Sequence, residues 1–299
     1  MAAPAHVALI GLGEVGRIMA GELQARGVGR ITAYDPLFED PESGPSLNAA
    51  KLEIEACASA SDAAQGAGLV ICAVTAAQAL AAAEAAAPGI GQGAYFIDLN
   101  SASPGTKAEA GRAIDAKGGR YVEAAVMSSV PGKGLKTPML LGGTHAAAFL
   151  DYARELQMNA SVFSETIGLA SATKMCRSVM IKGTEALLAE CLLTARHYGV
   201  EETVLGSLSD MLPNPDWEKT ARYMISRSLI HGRRRAEEMR EVARTVSEAG
   251  VEPLMSSAIA ERQDWAFARA QVLPPGAADG EDLDEMLDAV RRTMGDGAK

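Results

Sequence analysis

Three glycines and one aspartate near the N-terminus have the types and spacing that suit a bound dinucleotide. Gly11-Leu12-Gly13-Glu14-Val15-Gly16 is a G-x-G-x-x-G loop. It follows the apolar run His6–Ile10 and opens the helical pattern Arg17-Ile18-Met19-Ala20. Gly11 permits a sharp turn, Gly13 lets a pyrophosphate approach the backbone, and Gly16 lets the helix pack closely on the strand. With Leu12, Glu14 and Val15 as the intervening loop residues, the free N–H groups at the helix start then face two phosphates. A second apolar run, Val28–Ala33, ends in Tyr34-Asp35-Pro36. Asp35 falls about 20 residues beyond the loop, where an acid meets the adenosine ribose hydroxyls. A carboxylate there accepts from both hydroxyls of NAD and repels the 2′-phosphate of NADP. Pro36-Leu37-Phe38 adds no positive charge. NAD is therefore the expected cofactor, with NADP as the alternative. A strand-to-helix turn with no ligand is the competing reading of the glycines alone.

These groups need elements to position them. The chain alternates strand candidates with helical stretches through its first half. The strand candidates are His6–Ile10, Arg30–Tyr34, Leu69–Val74, Tyr95–Leu99, Arg120–Ala125 and Met139–Gly142. The helical stretches are Gly16–Arg26, Ala76–Ala87 and Thr106–Lys117. Such alternation implies a parallel sheet covered by helices and, with right-handed crossovers, a doubly wound α/β fold. Ligands then sit beyond the C-terminal strand ends. Besides the glycine loop and Asp35, those ends carry Val74-Thr75, Asn100-Ser101 and Met127-Ser128-Ser129. Val74, Thr75 and Ser101 are expected to line the cofactor. Thr75 and Ser101 can instead cap the helices that follow.

The pattern changes near Ser161–Ile167, and from Gly168 onward the periodicity is helical. Helices are expected over Ser171–Tyr198, Glu201–Met211, Trp217–Met239, Arg240–Ala249, Leu254–Ala270 and Leu283–Met294, with the third and fourth able to run together. Pro213 and Pro215 break one connection, and Gly250 with Pro253 marks another. The expected domains are residues 1–165, a dinucleotide-binding α/β domain, and 166–299, an all-α domain.

Composition excludes several classes. Of 299 residues, 48% are hydrophobic, which is globular and not disordered. A formal net charge of −10 disfavours nucleic acid and anionic membrane as partners, so any anionic ligand must be held by local donors. The four cysteines, Cys57, Cys72, Cys176 and Cys191, form no C-x-x-C pair. Scattered free thiols without a secretory signal fit a reducing, cytoplasmic compartment. No apolar run reaches the roughly 20 residues of a membrane span. His6, His145, His197 and His231 are dispersed, so no metal site is expected.

The motifs also carry a resemblance. The glycine loop with Arg17-Ile18-Met19-Ala20 resembles the G-L-G-x-M-G-x-x-M-A opening of the β-hydroxyacid dehydrogenase family, which includes 3-hydroxyisobutyrate and 6-phosphogluconate dehydrogenases. Asp98-Leu99-Asn100-Ser101-Ala102-Ser103-Pro104 is similar to its D-x-S-T-x-S-P segment, with Ser101 at the Thr position. Glu123-Ala124-Ala125-Val126-Met127-Ser128-Ser129 lies where the family has D-A-P-V-S-G-G. Gly168-Leu169-Ala170-Ser171-Ala172-Thr173-Lys174 matches its G-x-x-x-x-x-K spacing. The late segment around His231–Met239 and Gly250–Pro253 resembles a domain of unknown function appended in one branch. The resemblance implies an N-terminal Rossmann domain, an all-α C-terminal domain and a homodimer built through the helical part.

The resemblance also implies that Lys174 is the general acid/base. A lysine can take a hydroxyl proton at neutral pH only where burial or a positive neighbour lowers its pKa. Lys174 stands among Ala170, Ala172, Met175 and Cys176, with Arg177 close by. Met127, Ser128, Ser129 and Arg177 are the candidate substrate contacts, the two serines presenting hydroxyls to an acid group. Arg177 can clamp a carboxylate or phosphate, or pair with Glu185 or Glu190. Lys182 is expected at the surface. Arg233-Arg234-Arg235 cannot all face one ligand, because consecutive helical residues point about 100° apart. Departures from the family pattern are Met127 for its serine, Ser128-Ser129 for its paired glycines and Arg177-Ser178 for its Asn-Asn. They leave the substrate open. The expected reaction is NAD-linked oxidation of a small 3-hydroxy acid or related β-hydroxy compound, bound between the two domains. The alternatives are a 6-phosphogluconate-type decarboxylating dehydrogenase, an imine or keto reductase acting on a bulkier substrate, and a dinucleotide sensor without turnover.

Overall fold

Strand β1 (His6–Ile10) is buried along its whole length. Val7 and Leu9 point into one apolar cluster and Ala8 and Ile10 into another. A continuous apolar run is what a strand covered on both faces requires. The computed structural model describes residues 5–211 and 216–294; Pro213 and Pro215 lie outside the described residues. The chain divides into two units, Met1–Met175 and Cys176–Lys299.

The first unit is built on β1 and seven further strands: β2 (Arg30–Tyr34), β3 (Glu55–Ala56), β4 (Leu69–Cys72), β5 (Tyr95–Asp98), β6 (Arg120–Val126), β7 (Met139–Gly142) and β8 (Ala160–Ser164). They lie in the order β3-β2-β1-β4-β5-β6-β7-β8. The first six are parallel, β7 is antiparallel to β6, and β8 runs parallel to β7. The order reverses at β1, and the crevice beside its C-terminal end is where such sheets bind ligands.

Helices α1 (Glu14–Ala25) and α6 (Ala146–Glu155) cover one face through Met19, Leu23 and Phe149. Helices α3 (Ala60–Ala64), α4 (Ala79–Ala86) and α5 (Pro104–Asp115) cover the other. There the packing is largely alanine, including Ala60, Ala63, Ala83, Ala86 and Ala110. Helix α2 (Gly44–Leu52) starts at Ser43, whose side chain caps Ser46 N.

Several local differences from the sequence reading have simple causes. The expected helix Ala76–Ala87 is a 3₁₀ turn, Ala76–Gln78, followed by α4, a distinction alanine-rich sequence does not encode. Strand β8 carries little apolar burden: Ser161, Val162 and Phe163 are exposed at the sheet edge, so it lacks a buried-strand pattern.

The second unit contains most of α7 (Leu169–Tyr198), with α8 (Glu201–Met211), α9 (Trp217–Glu248), α10 (Leu254–Ala270) and α11 (Leu283–Arg292). The helical segments expected over 217–239 and 240–249 form the single helix α9. The core of this unit is Leu188, Leu192, Ile225, Leu229, Leu283, Met286 and Leu287, against which Trp217, Met224 and Trp265 pack. Lys182 is not a surface lysine. It is buried and paired with Glu238 at 2.7 Å, because the α7 face that carries it is an inner one.

Candidate functional site

The loop after β1 has the geometry its glycines imply. Gly11 adopts φ +94°, and a Cβ there would stand 2.5 Å from the Ala73 carbonyl oxygen. At Gly16 a Cβ would run into the Gly11 carbonyl, so close helix–strand packing excludes any side chain. Gly13 differs: a Cβ would meet nothing within 4 Å. Its missing side chain serves no packing inside the protein and leaves space over the backbone. Gly13 is also the N-cap of α1 and supplies no side-chain acceptor. The first helical N–H groups, which include those of Glu14 and Val15, have no intrahelical acceptor. An open backbone and a positive helix end fit a pyrophosphate.

Asp35 follows β2 directly and is buried. One carboxylate oxygen accepts from Leu12 N and the other from Leu37 N, both at 3.0 Å. The same residue therefore steadies the glycine loop and caps the 3₁₀ turn Pro36–Glu39. Each oxygen retains a second lone pair, which a ribose hydroxyl can use.

Val74 and Thr75 follow β4. Val74 N donates to Asn100 Oδ1 at 2.7 Å, which ties the two strand-end loops together. Thr75 is the N-cap of the 3₁₀ turn but makes no side-chain cap bond. Ser101 is not a cap at all; Ser103 caps α5 through Thr106 N. The Ser101 hydroxyl instead accepts from Lys174 Nζ at 2.6 Å. Lys174 is half-buried in the second turn of α7.

A buried polar network lies beneath this loop; Asp98 and Asn100 belong to the motif segment that ends at Pro104, while Lys107 and Tyr121 lie outside every motif. Asp98 Oδ1 accepts from Asn100 N at 2.9 Å and from Lys107 Nζ at 3.0 Å. Its Oδ2 accepts from the Tyr121 hydroxyl at 2.8 Å. Lys107 also donates to the Asp98 backbone oxygen at 3.0 Å and is fully buried. Burial, then the Asp98 charge, drives the Tyr121 phenol well above its usual range. The same two causes push the Cys72 thiol up to about 12, although Asn100 Nδ2 donates to its sulfur.

Beyond β6, Met127 is half-buried and its N–H donates to the Pro138 carbonyl. Ser128 Oγ accepts from Lys133 Nζ at 2.6 Å, and Ser129 is exposed. Lys133 was not singled out by the sequence; its flanking glycines, Gly132 and Gly134, both with positive φ, are the signal that marks it. Strands β5 and β6 are parallel neighbours, so this loop and Ser101 leave the same end of the sheet. Glu123, which opens the segment aligned with D-A-P-V-S-G-G, is fully buried and accepts from Gly168 N and Ser171 N, both at 2.6 Å.

Arg177 lies on α7 in the second unit and is exposed. On the same helix Glu185 pairs with Arg235 and Glu190 with Arg262. Within the arginine run, Arg235 is thus a buried structural cation, Arg234 pairs with Glu238 and Arg233 is exposed. Among the described residues no group of three or more His, Cys, Asp or Glu side chains is gathered to hold a metal ion. No described helix is long and apolar enough to cross a membrane.

The family profile of the NAD binding domain of 6-phosphogluconate dehydrogenase matches residues 6–168. A domain of unknown function, DUF1932, matches residues 195–266. A conserved hypothetical protein of Sinorhizobium meliloti 1021 is 38% identical, with 98% of this chain and 97% of that one covered and a TM-score of 0.76. A conserved protein of unknown function, described as structurally similar to 3-hydroxyacid dehydrogenases, is 32% identical, with 89% and 98% covered and a TM-score of 0.67. The mitochondrial 3-hydroxyisobutyrate dehydrogenase of Drosophila melanogaster is 26% identical over 140 residues, 45% of this chain and 42% of that one. The chain spans 61% and 42% of the lengths of the two curated relatives it matches.

Proposed function

The chain belongs to the NAD(P)-binding family typified by the NAD binding domain of 6-phosphogluconate dehydrogenase, and on that premise we propose that it is a dehydrogenase of a 3-hydroxy acid or related β-hydroxy compound. The observation that carries the proposal is the Lys174 amine, held at 2.6 Å by the Ser101 hydroxyl beyond the end of β5. That end of the sheet is where the glycine loop and Asp35 stand ready for a dinucleotide.

When bound, the nicotinamide supplies the hydride acceptor. The protein's residues do the rest. Gly13 and the α1 N-terminus hold the pyrophosphate, with Leu12, Glu14 and Val15 completing the loop. Asp35 takes the ribose hydroxyls, which favours NAD over NADP. Val74 and Thr75 line the cofactor beside Ser101. Lys174 accepts the substrate hydroxyl proton as general base and returns a proton in the reverse direction. Ser101 fixes the amine through its hydroxyl, whose lone pairs accept the lysine N–H. Lys133 with Ser128, and Ser129 beside it, give the loop after β6 a cation and hydroxyls for the substrate's acid group.

Imine or keto reduction is the second reading. It is favoured by Met127, a half-buried thioether where the family has a serine. A homodimer through the helical part is supported by an exposed apolar stripe on α7: Met180, Leu187 and Tyr198 are 69%, 61% and 72% exposed. Sedimentation at two protein concentrations tests it.

The functional test is NADH formation from NAD with a panel of 3-hydroxy acids, aryl β-hydroxy compounds and 6-phosphogluconate, repeated with NADP and with imines in the reductive direction. Lys174→Ala should abolish turnover and leave NADH affinity within about twofold, since the lysine contacts substrate and not the dinucleotide. A Lys174→Ala variant that turns over at the wild-type rate refutes the assignment.

A further inference from the structure

An acid/base lysine works only if its amine stands in one place, and misplacement by about 1 Å can cost on the order of a hundredfold in rate. Lys174 has a long, flexible stem, so the position of its helix matters. Glu123 lies inside β6, opposite Gly142 on β7, and its side chain is fully buried. A buried carboxylate is costly unless hydrogen bonds satisfy it. Here its two oxygens accept from Gly168 N and Ser171 N at 2.6 Å each. These donors belong to the start of α7, whose positive end favours a negative charge. Ser171 Oγ closes the same turn by donating to the Gly168 carbonyl at 3.1 Å.

Helix starts are ordinarily capped by a neighbouring Ser, Thr, Asp or Asn. This one is capped from a strand 45 residues earlier in the chain, so the cap also sets where the helix stands on the sheet. The space was kept for it. A Cβ on Gly142 would collide with Glu123 Oε2. Lys174 follows Ser171 by one turn, and its partner Ser101 leaves β5, the strand next to β6. Amine and hydroxyl are thus referenced to adjacent strands of one sheet.

We propose that Glu123 is a positioning residue for Lys174: its carboxylate grips the first turn of α7 and thereby holds the amine at Ser101. The role as a positioner of an acid/base rests on the proposed function; the grip itself does not.

The test uses Glu123→Gln and Gly142→Ala in the full chain. Glu123→Gln turns one acceptor into an NH₂ facing an N–H donor. Gly142→Ala pushes the carboxylate aside and changes no charge. For each variant, kcat, KM and NADH affinity are measured. The pH dependence of Lys174 acetylation by acetic anhydride is followed by mass spectrometry. Both variants should lower kcat by roughly 10- to 100-fold, with NADH affinity within about twofold of wild type. Lys174 should acetylate several-fold faster, with a displaced pH midpoint. Variants that melt earlier but keep wild-type kcat and Lys174 reactivity would reduce Glu123 to an ordinary cap and overturn the proposal. If the wild type turns over no substrate, the acid/base reading fails, and the acetylation profile alone decides the grip. If Glu123→Gln does not fold, Gly142→Ala, which adds one methyl group, decides it.

Discussion

Removing the Asp98 carboxylate should destabilise the first unit more than any conservative change at its surface. Asp98→Ala leaves the Lys107 ammonium fully buried, with the Asp98 backbone oxygen at 3.0 Å as its remaining acceptor from that residue. Stranding one member of a buried ion pair costs about 3–5 kcal/mol. The Tyr121 hydroxyl and Asn100 N–H lose their acceptor as well, each worth about 1–3 kcal/mol if it stays buried and unpaired. Counting the ion pair alone, and about 2–4 °C per kcal/mol for a unit of this size, the melting midpoint should fall by roughly 6–20 °C. Lys107→Met should cost less, because the aspartate it abandons still receives the Tyr121 and Asn100 donors. Adding Lys107→Met to Asp98→Ala should recover part of the loss, with a coupling of about 0.5–3 kcal/mol. Urea denaturation followed by circular dichroism measures all three variants. An Asp98→Ala penalty below about 1 kcal/mol, or strict additivity in the double variant, would refute the reasoning. Affinity for NADH should fall in every variant lacking Asp98, since Asn100 carries the bond to Val74 N.

Other outcomes follow from the same geometry. Gly13→Val should leave the melting midpoint within about 1 °C and weaken NADH binding at least tenfold, because its side chain would enter open space. Gly16→Ala should do the reverse, lowering stability by about 1–3 kcal/mol through collision with the Gly11 carbonyl. Fluorescence titration and thermal melts separate the two. Asp35→Ser should narrow the preference for NAD over NADP by roughly tenfold, and a preference that stays put would remove Asp35 from the ribose site. At pH 8 the native protein should resist iodoacetamide at Cys72, whose thiol is pushed up to about 12, and lose that resistance in denaturant. Peptide mass mapping reads it directly.

Much of this architecture is legible in the residues because the first unit is buried on both faces of its sheet. Apolar runs such as His6–Ile10 and Arg30–Tyr34 have no other role, so their bounds coincide with the strands. The glycine loop is legible for a related reason: a positive φ and a close approach each exclude side chains, and only glycine satisfies both. The edge was less readable. Strand β8 is held by its pairing with β7 while its side chains face outward, so hydropathy does not mark it. The division of Trp217–Glu248 was equally obscure, since nothing between Met239 and Arg240 breaks or caps a helix.

The polar residues divide along another line. Asp35 and Lys174 could be found because each stands at a spacing fixed by backbone geometry, after a strand or after a glycine turn. Lys107 and Lys182 could not, and Glu123, though it opens a motif segment, gave no sign of its burial, because a charged residue in sequence looks like a solvated one. What makes them exceptional is a partner distant in the chain: Gly168 and Ser171 for Glu123, and Glu238 for Lys182. Even the short separation between Asp98 and Lys107 means little until β5 and α5 are folded together. The consequence reaches the chemistry. A buried charge held by long-range donors cannot move without moving its element, so the bonds that set Lys174 and Ser101 in place are the ones that composition conceals. Substitutions confined to the expected cofactor and substrate contacts would leave this support untouched. Glu123→Gln and Asp98→Ala probe it directly, one at the start of α7 and one beneath the loop that carries Ser101.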